Sequence, residues 1–177
     1  MGQNFDRDGF IVYDNHVAFW GSEFSNFHKC KFTYLGVEFK SSEQAFMYEK
    51  ALYFNDKEVA DLILKAKTPK EAKELGRQVK NFNSEQWSEV CEDIMYNVVL
   101  AKFCQNEYLA RLITRRDLLD KTFVEGSPVD DIWGVKLAWN DPKIDDESNW
   151  KGQNLLGKVL GRVREYMINV LFPISWK

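Results

Sequence analysis

The chain has 177 residues, with 24 Lys and Arg against 27 Asp and Glu, and a formal net charge of −3 at pH 7. The length fits one domain, and 45% hydrophobic residues fit a globular core. The slight acidity argues against a protein that coats nucleic acid, which needs a surplus of Lys and Arg, but it leaves room for a local basic groove.

Several classes of protein are disfavoured by what the sequence lacks. No apolar run approaches the roughly 20 residues of a membrane span, and the N-terminus does not resemble a signal peptide. The three cysteines are far apart, and the two histidines are not spaced as a metal pair. We therefore expect an intracellular protein, cytoplasmic or, in a eukaryote, nuclear, that holds no metal and needs no cofactor.

The first 40 residues have the pattern of β-structure. FIVYDNHVAFW, starting at Phe10, alternates and is rich in β-branched and aromatic residues. KCKFTYLGVEFK, starting at Lys29, predicts a hairpin that turns at Leu35 and Gly36. A polar loop over residues 21–28 separates the two segments.

The pattern becomes helical after residue 40. Ser41 and Ser42 can cap a first helix that runs to residue 54, and Thr68-Pro69-Lys70-Glu71 is a capping box. The spacing predicts further helices over 57–67, 69–80, 85–105, 107–116 and 155–170, a strand over 122–125, and a loop over 126–153. Ser84 is the predicted cap of the helix over 85–105. We therefore expect a predominantly helical α+β fold with a small N-terminal β-sheet, in a single domain over residues 1–177.

The loop over residues 126–153 is a candidate for function, because loops of this length in compact domains are usually functional or disordered. Asp130 and Asp131 beside Trp133 suit acid–base chemistry, since partial burial raises the pKa of a carboxyl group. The alternative, which the spacing alone favours, is that both aspartates form a surface turn. The Gly152–Asn154 turn before the last helix suits an anion, although ordinary capping is more common.

Charged side chains also share faces of two predicted helices. Glu43 and Lys50 lie on one face of the first helix, where they form a solvated ion pair or point together into a cleft. One side of the third predicted helix carries four basic residues, which suits phosphate but is more often a solvated face. They are Lys70, Lys73, Arg77 and Lys80.

Six segments, taken in order, resemble the YbiA-like or NADAR family of small N-glycosidases. The resemblance covers residues 17–167, with Gln44 and Ala45 standing where the family has a histidine and an aromatic residue. The segments are FSNF at 24–27, FKSSEQAF at 39–46 with Lys50, Gly76-Arg77, Trp87 with AKF at 101–103, VE at 124–125 with DDIWG at 130–134, and GQNLLG at 152–157 with Arg164.

The resemblance implies hydrolysis of the bond between ribose C1 and an amino nitrogen on a base. The first reading is removal of ADP-ribose from guanine, which reverses DNA ADP-ribosylation. The second is hydrolysis of phosphoribosylamino-pyrimidine intermediates of riboflavin biosynthesis, and the third is a non-catalytic module that binds ADP-ribose or NAD. The expected partners are an ADP-ribose-containing or phosphoribosyl substrate and ADP-ribosylated DNA, with no membrane, and we expect a monomer.

Such cleavage passes through an oxocarbenium-like ribose, so it needs a carboxylate near C1 and a proton for the leaving nitrogen. Glu43 is the candidate that activates water or stabilises the cation, and Asp130 holds ribose hydroxyls or acts as the partner acid; the reverse assignment stays open. Lys50 is the third catalytic candidate, as a partner of phosphate or carboxylate, or alternatively as a nucleophile that forms an imine with ring-opened ribose.

The substrate-binding candidates follow from the same motif positions. Trp133, and after it Trp87, are expected to stack on the base. Trp150, at the other end of the loop, is also expected to face a ligand. The remaining candidate contacts are Asn26, Phe27, Arg77, Glu125, Gly134 and Asn154.

Overall fold

The computed structural model describes residues 4–5 and 9–171. The fold is α+β and predominantly helical, as predicted. The strands are β1 (Asn4–Phe5), β2 (Phe10–Val12), β3 (His16–Phe19), β4 (Phe32–Tyr34), β5 (Val37–Phe39) and β6 (Thr122–Glu125), and the α-helices are α1 (Ser42–Tyr53), α2 (Lys57–Lys65), α3 (Pro69–Gly76), α4 (Ser84–Cys104), α5 (Glu107–Ile113) and α6 (Leu155–Tyr166).

The chain divides into two compact units. We call residues 1–25 and 107–177 the sheet unit and residues 26–106 the helical unit. A single domain over residues 1–177 stays a prediction. Among the described residues, no helix is long and apolar enough to cross a membrane.

The sheet unit is built on a four-stranded sheet in the order β1-β2-β3-β6. The first three strands are antiparallel neighbours, but β3 pairs in parallel with β6, so that His16 is opposite Thr122. The predicted N-terminal sheet is therefore completed by a strand from beyond the helices. His16 also connects β3 to the loop that follows β6, since its two ring nitrogens lie 2.9 Å from Asp145 Oδ1 and 3.3 Å from Glu147 Oε1.

The helical unit contains the β4–β5 hairpin and helices α1 to α4. Leu35 and Gly36 turn the hairpin with φ of 49° and 80°, the positive values that a tight two-residue turn requires. The hairpin is a separate two-stranded sheet and packs on α1 and α4 through Phe39, Ala45 and Val98. Helix α1 also packs against α2 and α3.

Several predicted helix boundaries were wrong: α2 ends at Lys65 and α6 at Tyr166, both earlier than predicted. At three other boundaries a hydrogen bond marks the observed position. Helix α3 ends at Gly76 rather than Lys80, and the backbone N–H of Lys80 instead donates to Asp56 Oδ2 at 2.8 Å. Helix α4 is capped by Asn83 rather than Ser84, because Asn83 Oδ1 accepts the N–H of Gln86 at 3.0 Å. Helix α5 ends at Ile113, after which Thr114 Oγ1 donates to the Ala110 carbonyl at 2.8 Å.

Candidate active site

The first turn of α1 buries a carboxylate. Ser41 caps the helix, since its Oγ accepts the N–H of Gln44 at 3.1 Å. The N–H of Glu43 donates to the Asn26 carbonyl at 3.0 Å, which joins the preceding loop to this turn. The Glu43 side chain is only 5% exposed. Ser41 therefore caps α1, as the Ser41-Ser42 signal predicted, and Glu43 lies in the buried first turn that follows the cap.

Two polar side chains next to Glu43 are buried with an oxygen that lacks a hydrogen-bond partner. These atoms are Asn26 Oδ1 and Ser42 Oγ, and their residues are 6% and 0% exposed. Leaving a buried polar atom unsatisfied costs about 1–3 kcal/mol, so native proteins rarely do so without a functional reason. Both atoms can accept a hydrogen bond from a bound hydroxyl group.

Lys50 lies two turns further along α1, and its pKa is shifted from the usual value. Its Nζ donates to the Gly76 carbonyl at 3.0 Å and lies 4.0 Å from the centre of the Phe82 ring. Partial burial lowers the pKa of Lys50; the Glu43 carboxylate opposes this shift, and the Arg77 guanidinium adds to it. The predicted residues Glu43, Lys50 and Arg77 are thus brought into electrostatic contact.

The absence of a side chain at Gly76 allows this arrangement. A Cβ atom at this position would overlap the Sδ atom of Met47 on α1. The glycine therefore lets α3 approach α1 closely enough for its carbonyl to receive the Lys50 ammonium, and it places Arg77 at the end of α3. The glycine of the Gly76-Arg77 motif is therefore required by the close packing of α3 on α1.

Trp87 belongs to an aromatic cluster beside Lys50. Its ring centre lies 5.2 Å from that of Phe46, 5.9 Å from Tyr53 and 6.2 Å from Phe54, and the Trp87 side chain is half-buried. Stacking of Trp87 on a base stays a prediction. Phe27 is 38% exposed, and Lys73 Nζ lies 5.4 Å from its ring centre.

Sequence reasoning missed Lys102, which is 1% exposed within α4. Burial lowers the pKa of His28, and the charge of Lys102 lowers it further. Burial also raises the pKa of Cys30, and Lys102 opposes that shift. A buried ammonium is expensive unless partnered, which makes Lys102 notable in this unit. The AKF motif was a signal for it, but nothing in the spacing predicted such deep burial.

In the sheet unit, Asp130 forms a turn. Its Oδ1 accepts the N–H groups of Ile132 at 3.0 Å and Trp133 at 2.8 Å, and its own N–H donates to Ser127 Oγ at 3.2 Å. Asp131 is exposed and pairs with Lys136 at 3.0 Å. The turn-forming interpretation thus describes the observed contacts of both aspartates, and the catalytic role of Asp130 stays a prediction.

Asn154 is also occupied by backbone. Its Oδ1 accepts the N–H of Glu125 at 3.2 Å and its Nδ2 donates to the Phe123 carbonyl at 2.9 Å, with the residue 1% exposed. Gly134 is buried next to the same strand, and a Cβ atom there would lie 2.9 Å from the Glu125 carbonyl oxygen. These contacts join the 130–134 loop and the start of α6 to β6.

The start of α6 shows capping rather than an open anion site. The N–H groups of residues 153–156 donate to the carbonyls of residues 131–134 at 2.9–3.2 Å, so they are already used. Trp150 Nε1 donates to the Ile144 carbonyl at 2.9 Å and its ring packs on His16, so these observed contacts are structural, and the expectation that Trp150 faces a ligand stays a prediction. Trp133 is half-buried.

No group of three or more potential ligands is arranged to hold a metal ion among residues 4–5 and 9–171. The candidate residues thus form two clusters. In the helical unit, Glu43, Lys50 and Arg77 interact, with Asn26 beside Glu43. In the sheet unit, Glu125, Asp130, Trp133, Gly134 and Asn154 are joined by backbone hydrogen bonds.

Comparison with known proteins supports the resemblance found from the motifs. Residues 17–168 match the NADAR domain family. The chain is 43% identical over 132 residues to Protein irg-1 of Caenorhabditis elegans, covering 73% of this chain and 61% of that protein. It is 39% identical over 129 residues to N-glycosidase R617 of Acanthamoeba polyphaga mimivirus, covering 73% and 75%.

A more distant relative and a solved structure extend the comparison. The chain is 29% identical over 141 residues to Riboflavin biosynthesis protein VVA0006 of Vibrio vulnificus, but it spans only 34% of that protein. The solution structure of Escherichia coli YbiA is similar, with a TM-score of 0.71, 26% identity, and coverage of 97% of this chain and 96% of that one. This similarity confirms the predicted YbiA-like fold.

Proposed function

We propose that this chain, which belongs to the NADAR domain family, is an N-glycosidase that hydrolyses the bond between ribose C1 and an amino nitrogen on a base. The observation that carries the proposal is the buried Glu43 carboxylate interacting electrostatically with Lys50, next to two buried oxygens that lack partners. The name of the mimiviral relative supports the same reaction class.

The chemistry of this cluster matches what the reaction requires. Departure of the base nitrogen leaves positive charge on C1 and the ring oxygen of ribose. The Glu43 carboxylate either stabilises this charge or activates the attacking water. Water then adds its oxygen to C1 and the base nitrogen gains a proton. The products are a ribose-containing compound with a free C1 hydroxyl group and a base with an intact amino group.

The polar atoms around Glu43 suit a phosphorylated ribose. Asn26 Oδ1 and Ser42 Oγ accept hydrogen bonds, and ribose hydroxyls donate them. Lys50 and Arg77 supply two positive charges that pair with phosphate. The finer proposal is that the substrate is ADP-ribose attached to guanine in DNA, hydrolysed inside the cell, in the cytoplasm or a nucleus, by a monomeric enzyme.

A second substrate is phosphoribosylamino-pyrimidine, an intermediate of riboflavin biosynthesis. It has the same C1–N bond and a phosphate on the ribose, so the same cluster suits it. The observation in its favour is the name of the Vibrio vulnificus relative, Riboflavin biosynthesis protein VVA0006, although this chain spans only 34% of that protein.

The proposal is tested by offering purified protein both substrates side by side and following product release by chromatography and mass spectrometry. We expect ADP-ribose and unmodified guanine oligonucleotide to be released, and Glu43→Gln to slow release by about 10³-fold. Glu49→Gln is the matched control, because it removes a half-buried carboxylate from the same helix. Release from the pyrimidine substrate alone would favour the second substrate. Tight binding of ADP-ribose without hydrolysis of either would overturn the enzyme proposal.

A further inference from the structure

We propose that a lysine-lined pocket in the helical unit binds the phosphate backbone of a nucleic acid beside the modified base. This inference rests on the proposed function and adds a second binding site, separate from the Glu43 cluster, for the polynucleotide that carries the modified base. The pocket has a volume of about 250 Å³ and lies where the β4–β5 hairpin meets the N-terminal end of α3. Its lining includes Lys29, Cys30, Lys31, Lys40, Lys67 and Pro69.

The charge of the pocket is positive. Among the described residues, no carboxylate lies within 4.0 Å of the ammonium groups of Lys29, Lys40 or Lys67. Lys31 lies 3.5 Å from Glu38, but both side chains are largely exposed, and such surface pairs contribute little. One neighbouring carboxylate, Glu71, is held by the N–H of Lys67 at 2.8 Å. A surplus of cations remains for an anionic ligand.

The size and floor of the pocket indicate which anion fits. Its volume is below the roughly 300–1,000 Å³ of pockets that enclose a whole drug-sized ligand, so it does not suit a complete ADP-ribose. Cys30, Ala66 and Pro69 contribute apolar surface, as do the aliphatic parts of the lysines. An apolar floor with a cationic rim suits one sugar–phosphate unit of a polynucleotide.

Helix α3 connects this pocket to the candidate active site. The pocket contacts Thr68 and Pro69 at the start of the helix, and the Gly76 carbonyl at its end receives the Lys50 ammonium. Eight residues at 1.5 Å each give a separation of about 12 Å along the helix. At about 3.4 Å per nucleotide of one strand, this corresponds to about three to four nucleotides.

Basic and aromatic side chains occupy the distance between the two ends. Residues 65–80 contain six Lys and Arg but only two Glu. Lys70 is exposed one turn beyond Lys67, and Lys73 lies 5.4 Å from the ring centre of the partly exposed Phe27. Alternating cations and an accessible ring are typical of surfaces that bind single-stranded nucleic acid. The basic side of α3, which the sequence alone favoured as a solvated face, is thereby assigned a ligand.

The test compares a polynucleotide with a substrate that has no flanking phosphates. The double variant Lys29→Gln/Lys67→Gln and the wild type are assayed on an ADP-ribosylated guanine oligonucleotide and on ADP-ribosylated guanosine. We expect kcat/KM on the oligonucleotide to fall roughly tenfold at low salt, and the slope of log kcat/KM against log salt to become shallower by about 1.4, or 0.7 per contact. On the nucleoside we expect a change below about twofold, because the pocket does not touch it.

Lys57→Gln is the matched control. Lys57 is an exposed lysine at the opposite end of α2 from the pocket, about 13 Å along the helix and beyond the Debye length of about 8 Å. It should leave both activities unchanged. An equal loss on both substrates, or no loss on the oligonucleotide, would overturn the inference.

A binding measurement separates failure of the inference from failure of the proposed function. Fluorescence anisotropy of an unmodified oligonucleotide reports the pocket without requiring turnover. If the wild type hydrolyses neither substrate but binds the oligonucleotide roughly tenfold more tightly than the double variant does, the proposed pocket is supported and the proposed reaction is rejected. If the wild type hydrolyses the oligonucleotide and the double variant binds and cleaves it equally well, the reaction stands and the pocket is rejected.

Discussion

The candidate polar groups of the helical unit and of the sheet unit differ in whether their hydrogen bonds are satisfied. In the helical unit, Asn26 Oδ1 and Ser42 Oγ are buried without partners, and burial lowers the pKa of Lys50. In the sheet unit, the Oδ1 atom of Asp130 and both ends of the Asn154 amide are bound by backbone groups. Both sets of residues stand in motifs of the same family, so motif membership alone does not separate them.

The difference indicates a division of work. Unsatisfied buried groups and a desolvated ammonium reduce the stability of the folded chain, and proteins keep such features where a ligand needs them. Polar side chains that bind only backbone hold loops in place. We therefore propose that the Glu43 cluster performs binding and chemistry, and that Asp130 and Asn154 position the 130–134 loop.

The largest expected effect compares one carboxylate from each unit. Glu43→Gln should lower kcat on the oligonucleotide by about 10³-fold, because it removes the charge beside the reacting carbon. Asp130→Asn should lower kcat by about tenfold or less, since the amide oxygen still accepts the loop N–H groups. Steady-state kinetics measure both, and circular dichroism checks folding. Equal losses in the two variants would restore Asp130 to a direct catalytic role.

The second prediction separates activity from stability at Lys50. Lys50→Met should lower kcat/KM by about 10²-fold, as expected for loss of a positioned charge. The melting temperature should stay within about 4 °C of wild type, because relief of desolvation offsets loss of the bond to Gly76. Lys57→Met is an exposed control that should alter neither quantity. A large fall in melting temperature would instead make Lys50 a structural residue.

Asn154 should show the reverse behaviour. Asn154→Ala leaves the Glu125 N–H and the Phe123 carbonyl buried without their partner, which should cost about 1–3 kcal/mol and lower the melting temperature by about 2–12 °C. Asn149→Ala, which removes one exposed hydrogen bond, should shift the unfolding free energy by less than about 0.5 kcal/mol. Thermal denaturation measures both. A normal melting temperature with a raised KM would show that Asn154 contacts substrate.

The smallest expected effect is a pH dependence of stability in the helical unit. Burial and then Lys102 hold the pKa of His28 below its usual value, so the unfolded chain takes up this proton at a higher pH than the folded chain does. The resulting stability is present above the unfolded pKa of about 6.5 and is lost as the pH falls through the folded value. His28→Gln removes this contribution.

The measurement is the fall in melting temperature between pH 7 and pH 5. We expect it to be about 1–3 °C smaller in His28→Gln than in wild type. Wild type and variant should respond nearly alike between pH 8 and pH 7, because this range lies above the unfolded pKa of about 6.5. An unchanged difference between pH 7 and pH 5 would contradict the assigned shift.

Local signals predicted much of the fold. Ser41 caps α1, Leu35 and Gly36 turn the hairpin, and the capping box at Thr68 opens α3, because each of these structures depends on neighbouring residues. Helix ends were less predictable. The end of α3 depends on a hydrogen bond between Lys80 and Asp56, which lie 24 residues apart.

The candidate site was predictable to a similar degree. The shared helix face predicted that Glu43 and Lys50 interact, since four- and three-residue steps place side chains together. Spacing did not reveal the deep burial of Lys102 or the use of Trp150 in packing, because burial depends on elements distant in the chain. The pocket near Lys29 and Lys67 likewise combines two separate segments.

By itself, the sequence determined where most helices begin, where the hairpin turns and which family motifs occur, since these features depend on residues within one or two turns. Only the tertiary structure decided that β6 pairs with β3, whose His16 is 106 residues before its partner Thr122. It also decided which polar groups are satisfied: Asn154 finds backbone partners, and Asn26 Oδ1 does not. Two asparagines with the same chemistry thus differ because their surroundings come from distant parts of the chain.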